Sequence, residues 1–217
     1  MMDFTEIIDI SHTLSPSFAE WPGDSVFKRD WTARICAGSS VNLSRLCFSP
    51  HTGTHADSPY HYSDEGATLE SMDLGAFLGD ALVVNLRGAP GPICSEEFRR
   101  ALERVDIPGE YTPRVLLRTG YEPANPFETR FRYPSESLIE DLGHGGALLL
   151  GTDAPSVDAF DSKKLPGHSA CASNGIYILE FLDLRNAEEG RYTLIAPPPK
   201  IDGSDGSPVR ALLIPRS

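Results

Sequence analysis

Three of the chain's six histidines and one aspartate fall within eleven residues, in the segment His51–His61, which reads HTGTHADSPYH. Imidazole nitrogens and carboxylate oxygens at this density are the donors that a zinc-type cation prefers. Gly53, Ser58 and Pro59 disfavour a helix here, and the preceding Leu43–Phe48 has the composition of a strand. The segment therefore predicts a metal site carried on extended chain.

Alternation along an extended chain would give this cluster its geometry. Residues two apart share a face, so His51, His55 and Asp57 are expected to converge, and the glycine between the histidines leaves room for an ion. The proline two residues after Asp57 removes a ladder donor, which places His61 on a loop beyond the strand. The alternative is that these histidines are structural or solvated, but three of them with an aspartate favour the metal site.

Length and composition limit the remaining choices. With 217 residues, of which 40% are hydrophobic and 23% charged, the chain predicts one soluble domain over residues 1–217. The net charge of −12 argues against nucleic acid and anionic membrane surfaces as partners. No apolar run approaches the length of a bilayer span, and no signal peptide is visible. The four scattered cysteines form no CxxC pair, so we expect a cytoplasmic protein with its cysteines packed in the core.

Eighteen prolines and nineteen glycines divide the chain into short elements. Strands are predicted at Ile7–Ile10, Val26–Trp31, Leu43–Phe48, Ala81–Leu86, Arg114–Thr119, Ala147–Gly151, Gly175–Leu182, Arg191–Ala196 and Val209–Ile214. Helices are predicted at Ser95–Leu102 with Ser95 as N-cap, at Ser135–Leu142 ended by Gly143, and as a short turn or helix at Ser71–Leu78. This mixture predicts an α/β or α+β fold with a sheet-rich centre and a few helices.

A carboxylate, Glu180, interrupts the late apolar strand and shares a face with Ile178 and Leu182. Burying that charge is costly, so Glu180 requires a cation, an Arg or Lys partner, protonation, or exposure on an edge strand. The residues alone leave these alternatives open. His168 follows Pro166-Gly167 and is predicted to lie on a loop, where an isolated histidine is more often solvated than a ligand.

Several common catalytic patterns are absent from the sequence. It contains no GxSxG, no HExxH and no glycine-rich nucleotide-binding motif. The chemistry that remains is metal-assisted hydrolysis by activated water.

The histidine-rich segment carries a family resemblance. It resembles the HxGTHxDxPxH signature of the cyclase-like metal-dependent hydrolases, and within them the chain is most similar to the bacterial kynurenine formamidases, or arylformamidases. The similarity runs nearly end to end and includes IIDISHTLSP, WPGD at Trp21–Asp24, GTDAPSVD at Gly151–Asp158, KLPGH ending at His168, NGIYILEFLDL ending at Leu184, and SPVRALLI. The segment Phe127–Tyr133 (FETRFRY) departs from the family pattern, which allows a substrate selectivity different from the family type.

The resemblance implies a sheet-rich α/β fold with a barrel-like mixed β core, a homodimer, and two Zn²⁺ ions per subunit, with Mn²⁺ or Co²⁺ as alternatives. It also implies roles for seven residues: His51, His55 and Asp57 at the first zinc, Asp57 bridging to the second, His168 at the second, Glu180 bridging or contacting both, His61 as proton donor and acceptor, and Trp21 in substrate contact. A dinuclear site would give Glu180 its cations.

The implied activity is zinc-dependent hydrolysis of N-formyl-L-kynurenine to L-kynurenine and formate in tryptophan degradation. One alternative is a related amidase that opens a cyclic amide such as isatin. A second is a non-catalytic metal-binding protein, although a purely structural site has no use for an extra histidine such as His61. Outside the cluster we expect a structural hydrogen bond for His12, a solvated His144 and a turn-forming Asp158, and Asp153 is left open.

Overall fold

The structure, a computed structural model, describes residues 6–104 and 113–216. Within those ranges the strands are β1 (Ile8–Asp9), β2 (Lys28–Ala33), β3 (Leu43–Cys47), β4 (His55–Asp57), β5 (Leu78–Asn85), β6 (Gly91–Ile93), β7 (Arg114–Arg118), β8 (Arg132–Pro134), β9 (Leu149–Thr152), β10 (Tyr177–Glu180), β11 (Gly190–Ile195), β12 (Gly206–Pro208) and β13 (Leu212–Pro215). The α-helices are α1 (Ser95–Arg104), α2 (Glu136–His144) and α3 (Pro166–Ser173). None of the described helices combines the length and apolar character that a bilayer crossing requires.

Nine of these strands form one mixed sheet in the order β1-β13-β11-β5-β7-β9-β10-β4-β12, curved into a half-barrel. Its centre, from β5 through β7 and β9 to β10, is parallel, and the strands on either side pair antiparallel. The α/β fold class, with a barrel-like mixed sheet and a few flanking helices, is therefore confirmed.

The central strands are apolar along their length because both faces of the sheet are covered. In β7, Val115 and Leu117 face the core that contains α1 and α2, whereas Leu116 faces the opposite core. Each of these three side chains is fully buried. Burial on two sides thus explains the apolar run Val115–Leu117 in the middle of this strand.

The two predicted α-helices exist, but one of their caps is wrong. The Ser135 hydroxyl accepts the Leu138 N–H at 3.2 Å and caps α2 as predicted. The helix does not end at Gly143 as predicted, because it includes His144. Helix α1 begins at Ser95 itself, because the Phe98 N–H already donates to the Cys94 carbonyl at 3.1 Å. The Ser95 hydroxyl is buried and has no hydrogen-bond partner among the described residues, so it caps nothing.

Other predictions also differ from the structure. Only the last three residues of the predicted strand Val209–Ile214 lie in a strand, β13, which pairs with β1 and β11, whereas β12 ends at Pro208, before the predicted range, and pairs with β4. The short pair β6 and β8 and the helix α3 were not predicted. Cys171 is buried as expected, but Cys36, Cys47 and Cys94 are exposed, so the core prediction is wrong for them. Cys36 and Cys47 belong to the β2–β3 ribbon (residues 28–47), which forms a sheet separate from the main one.

The position of β4 decides where the chemistry lies. This short strand is held between β10 and β12, with His55 directly opposite Glu180 and Asp57 directly opposite Gly206. Glu180 is 4% exposed on an interior strand, which excludes the edge-strand alternative. Backbone pairing therefore brings two distant parts of the sequence to one point on the sheet.

Candidate metal centre

Four histidines and two carboxylates, the polar residues for which the family resemblance implies roles, converge on one cavity. His55 and Asp57 lie two residues apart on β4 and share a face, as predicted. Glu180 projects from the neighbouring β10, His51 and His61 flank β4, and His168 approaches from α3. The aromatic side chain of Trp21 lines the same cavity.

His51 reaches the site by a different route from the one predicted. The chain before β4 is a turn rather than a strand, and Gly53 adopts φ +66°, in the left-handed region that favours glycine. A Cβ at Gly53 would also lie 2.5 Å from the Leu14 Cδ2 atom. The predicted convergence of His51 with His55 is correct, but a turn produces it and strand alternation does not.

His168 lies in the first turn of α3 and not on a loop, which corrects the prediction. Pro166 opens this helix, as its fixed φ and missing N–H favour. The Asp158 carboxylate accepts the Gly167 and His168 N–H groups at 2.8 and 3.1 Å and contacts the His168 Nδ1 atom at 2.7 Å. Asp158 therefore caps a helix and orients an imidazole, so its prediction as a simple turn former is wrong.

Asp57 faces three histidines and Glu180 faces two of the same three. Asp57 Oδ1 lies 2.9 Å from His51 Nδ1 and 3.2 Å from His55 Nε2, and Asp57 Oδ2 lies 3.5 Å from His168 Nε2. Glu180 Oε2 lies 3.5 Å from His55 Nε2, and its Oε1 lies 3.7 Å from His168 Nε2. Both carboxylates thus divide their oxygens between the His55 side and the His168 side.

Two buried atoms of this cluster lack hydrogen bonds. Among the described residues, neither His55 Nε2 nor Asp57 Oδ2 has a hydrogen-bond partner. Buried polar atoms without partners are costly, and a cation would satisfy both. His55 Nε2 lies 3.2 Å from Asp57 Oδ1, and His168 Nε2 lies 3.5 Å from Asp57 Oδ2, both without a hydrogen bond, as ligands of a common ion do. The residues present therefore fit a metal cofactor.

The remaining ring nitrogens of the three histidines are held by acceptors. His55 Nδ1 contacts the Gly53 carbonyl at 2.7 Å, His51 Nε2 contacts Asp205 Oδ2 at 3.0 Å, and His168 Nδ1 contacts Asp158. Metal-ligating histidines commonly donate their second N–H to a carboxylate or carbonyl, which fixes the ring orientation. All three histidines follow this arrangement.

The electrostatics of the cluster favour positive charge. Burial alone would lower the pKa of His55 and of His168, but the facing carboxylates raise each pKa to about 10. Burial would raise the pKa of Asp57, but its contacts with His168 and the other histidines hold that pKa well below its ordinary value. Within the described residues, Glu180 has no Lys or Arg within ion-pair distance, which rules out a structural ion pair of that kind.

His61 lies at the edge of the cluster, in a single 3₁₀ turn (Pro59–His61) and not on the predicted loop. Its ring centroid is 3.9 Å from that of His51 and 6.0 Å from that of His168. Burial lowers its pKa, and the Asp57 charge only partly opposes this. One of its nitrogens comes within 4.8 Å of ligand atoms of His51 and Asp57.

The cavity over the cluster has a volume of about 470 Å³ and an aromatic wall. The Trp21 ring lies 4.8 Å from the ring of Phe160 and 5.5 Å from that of Phe127, measured between centroids. Phe127 belongs to the segment that departs from the family pattern, so that segment supports the wall. The space suits a small aromatic molecule placed with one polar group over the carboxylates.

Asp205 is the polar residue that the sequence reasoning missed. It precedes β12 in a Gly- and Ser-rich stretch, and nothing in that stretch marks it as a partner of a histidine 154 positions away. His12 lies outside the cavity, where its main-chain N–H donates to Thr54 Oγ1 at 3.0 Å and its Nδ1 atom is 4.0 Å from Asp183. His144 is exposed at the end of α2, as predicted.

Comparison with known proteins agrees with this geometry. The sequence profile of the cyclase family matches residues 8–159. The chain is 41% identical over 210 residues to a kynurenine formamidase of Salinibacter ruber, covering 95% of this chain and 96% of that protein. The chain belongs to the cyclase family. Its resemblance to kynurenine formamidases, inferred above from sequence motifs, is confirmed.

Solved structures of other proteins have the same fold as this cyclase-family protein. A potential metal-dependent hydrolase with cyclase activity superposes with a TM-score of 0.80 at 26% identity, covering 98% of each chain. Isatin hydrolase A from Labrenzia aggregata gives a TM-score of 0.82 at 24% identity, covering 96% of this chain and 93% of that one. The second likeness is one of fold alone.

Proposed function

We propose that this cyclase-family protein hydrolyses N-formyl-L-kynurenine to L-kynurenine and formate. The observation that carries the proposal is the division of the Asp57 and Glu180 oxygens between His55 and His168, in a chain 41% identical to a kynurenine formamidase. A buried cluster of this kind is the donor set of a metal-dependent hydrolase, and the aromatic wall above it suits an aryl formamide.

Two divalent ions, with zinc as the first choice for this nitrogen and oxygen donor set, would account for the cluster. His51, His55 and Asp57 would hold one ion, and Asp57, His168 and Glu180 the other. When bound, such ions lower the pKa of water to about 7 and polarise a carbonyl oxygen. Support for two sites comes from the two carboxylates, each of which faces histidines on both sides.

His61 would transfer the protons of the reaction. Hydrolysis adds water to the formyl carbon and breaks the bond to nitrogen, so a proton must leave the water and another must reach the aniline. The His61 imidazole at the edge of the cluster can accept the first proton in its neutral form and, once protonated, donate the second. Trp21 and Phe160 would stack on the aromatic ring and hold the formyl group over the carboxylates.

The purified protein tested on a panel of amides decides the substrate. We expect turnover of N-formyl-L-kynurenine, followed by the absorbance of the free aromatic amine, and loss of that turnover after chelator treatment. Adding back Zn²⁺, Mn²⁺ or Co²⁺ separately should restore it and identify the preferred ion. A preference for isatin over N-formyl-L-kynurenine would instead make the protein a cyclic-amide hydrolase.

A histidine variant tests the proton transfer. His61→Ala should lower kcat by about 10²- to 10⁴-fold, the range for general acid–base catalysis, while retaining the bound metal. His144→Ala, which alters an exposed histidine at the end of α2, is the matched control and should behave as wild type. Near-normal turnover by His61→Ala would remove His61 from the mechanism.

We also propose that the protein is a homodimer and that it is cytoplasmic, where its free cysteines stay reduced. The β2–β3 ribbon supports the dimer, because a two-stranded sheet apart from the main sheet is marginal in water by itself. The ribbon exposes the large apolar side chains Trp31, Ile35, Val41, Leu43 and Leu46. Light scattering should give twice the chain mass, and Leu43→Lys with Leu46→Lys should shift the protein toward the monomer.

A further inference from the structure

One exposed carboxylate contacts both imidazoles at the edge of the cluster. Asp205 Oδ2 lies 3.0 Å from His51 Nε2 and 3.8 Å from His61 Nδ1, and the side chain is 42% exposed. We propose that Asp205 is a positioning residue that fixes the ring orientations of His51 and His61 together. The proposal rests on the proposed function for the role of His61, but its consequence for His51 is independent of the substrate.

The local backbone holds the three residues in one arrangement. The Asp205 carbonyl accepts the Ser58 N–H at 3.0 Å, and the Ser58 carbonyl accepts the His61 N–H at 2.9 Å. Ser58 therefore ties the residue that carries the carboxylate to the residue that carries the outer imidazole. This link makes the distance between Asp205 and His61 a property of the fold.

The residue after Asp205 lets His51 approach closely. Gly206 opens β12 opposite Asp57, and a Cβ there would lie 2.8 Å from His51 Cε1. Any larger residue would displace the ring from both carboxylates. The Asp205-Gly206 pair thus forms one wall of the His51 position, with a hydrogen-bond acceptor beside an open space.

The consequence for His51 concerns which nitrogen faces the cluster. With its Nε2 proton donated to Asp205, the free lone pair of His51 is on Nδ1, the atom that lies 2.9 Å from Asp57 Oδ1. Loss of the acceptor would free the ring to rotate or change tautomer. Such partners of ligating histidines typically contribute about 10- to 100-fold to metal affinity.

The consequence for His61 concerns proton transfer. The Asp205 carboxylate is on the Nδ1 side of His61, so it favours the tautomer with a proton on Nδ1 and leaves Nε2 to exchange protons with the reacting groups. The adjacent His51 ring, tilted by 37° at 3.9 Å, limits rotation of His61. Asp205 acts on the reaction only through these two imidazoles and touches no reacting atom.

The test compares Asp205→Asn and Asp205→Glu with Asp202→Asn, an exposed carboxylate on the same segment. Zn²⁺ affinity is measured by competition with a chromogenic chelator, and kcat and KM are measured on N-formyl-L-kynurenine. Formanilide and para-nitroformanilide are added because the second has a leaving group that needs less protonation.

We expect Asp205→Asn to weaken Zn²⁺ binding about 10-fold or more and to lower kcat about 10- to 100-fold, with KM changed less than about threefold. The loss should be smaller on para-nitroformanilide than on formanilide. Asp205→Glu should recover part of both properties, and Asp202→Asn should match wild type.

Unchanged Zn²⁺ affinity and kcat in Asp205→Asn would overturn the proposal. So would equal losses on both formanilides without recovery by Asp205→Glu, since that pattern describes a purely structural residue. If wild-type protein fails to hydrolyse N-formyl-L-kynurenine, the proposed function is wrong. The Zn²⁺ competition still decides whether Asp205 positions His51.

Discussion

Two buried aspartates on the same sheet have opposite surroundings. Asp57 and Asp153 are 2% and 3% exposed, and each belongs to or follows directly on an interior strand. Asp153 accepts the N–H groups of Thr119 and Gly120, both at 2.9 Å, and the Thr119 hydroxyl at 2.5 Å. Asp57 faces three imidazoles, and its Oδ2 atom has no hydrogen-bond partner among the described residues.

The difference separates a structural carboxylate from a ligand. Among the described residues Asp153 has hydrogen bonds from neutral donors and no ion-pair partner, and burial raises its pKa to about 6. Asp57 is buried as deeply, but its histidine partners keep its pKa well below the ordinary value. Burial alone therefore identifies no site, whereas a buried carboxylate that faces several imidazoles and has one oxygen without a hydrogen-bond donor among the described residues does.

The same substitution at both positions should give the largest contrast. Asp57→Asn removes a ligand shared by both proposed ions, and we expect kcat to fall by about 10³-fold or more, equivalent to roughly 4 kcal/mol of transition-state stabilisation. Asp153→Asn should stay within a few-fold of wild type. Steady-state kinetics with metal content measured on the same samples check this, and similar losses in both variants would contradict the distinction.

Metal removal should distinguish the two aspartates in stability. A ligand that binds only the folded chain stabilises it by about 4 kcal/mol at 1,000 times its dissociation constant. Chelation should therefore lower the free energy of unfolding of wild type and of Asp153→Asn by a similar amount. It should lower the free energy of unfolding of Asp57→Asn far less. Urea titrations with and without chelator measure this, and an equal decrease in Asp57→Asn would place the stabilising ion elsewhere.

The sequence predicts the central strands of the sheet better than its short outer strand β12. Apolar runs such as Arg114–Thr119 and Ala147–Gly151 identified strands, because burial on two faces leaves a clear composition. Short elements escaped this reasoning: β12 has three residues and includes Gly206 and Pro208, and it exists because it pairs with β4. Pairing between distant segments leaves little trace in the local sequence.

The same limit applies to the candidate site. The histidine-rich segment was found because its ligands are close in sequence, and the resemblance supplied His168 and Glu180. The local sequence indicates only a turn at Asp158 and nothing at Asp205, since each acts through a histidine at some distance along the chain. Their roles depend on α3 and β12, neither of which was predicted.

The pH dependence of stability tests the Asp153 side of the comparison. The pKa of Asp153 is about 6 in the folded chain, against an ordinary value of 3.8. Its contribution to stability is therefore complete below pH 3.8 and is lost as the pH rises through about 6. Metal-free wild type should therefore gain about 1 kcal/mol relative to Asp153→Asn on going from pH 7 to pH 5. An identical difference at both pH values would mean that the three donors keep Asp153 ionised.

The smallest expected effect comes from one of the Asp153 donors. Thr119→Ala removes the hydroxyl that accompanies the Thr119 N–H on the same carboxylate oxygen, and we expect a loss of about 1 kcal/mol in the free energy of unfolding. Thr119→Ser keeps the hydroxyl and is the matched control. Because the lost donor favours the ionised form, Thr119→Ala should also raise the pKa of Asp153 and steepen the decline in stability toward neutral pH. Metal content and kcat should remain those of wild type, and a change in either would connect Asp153 to the metal cluster.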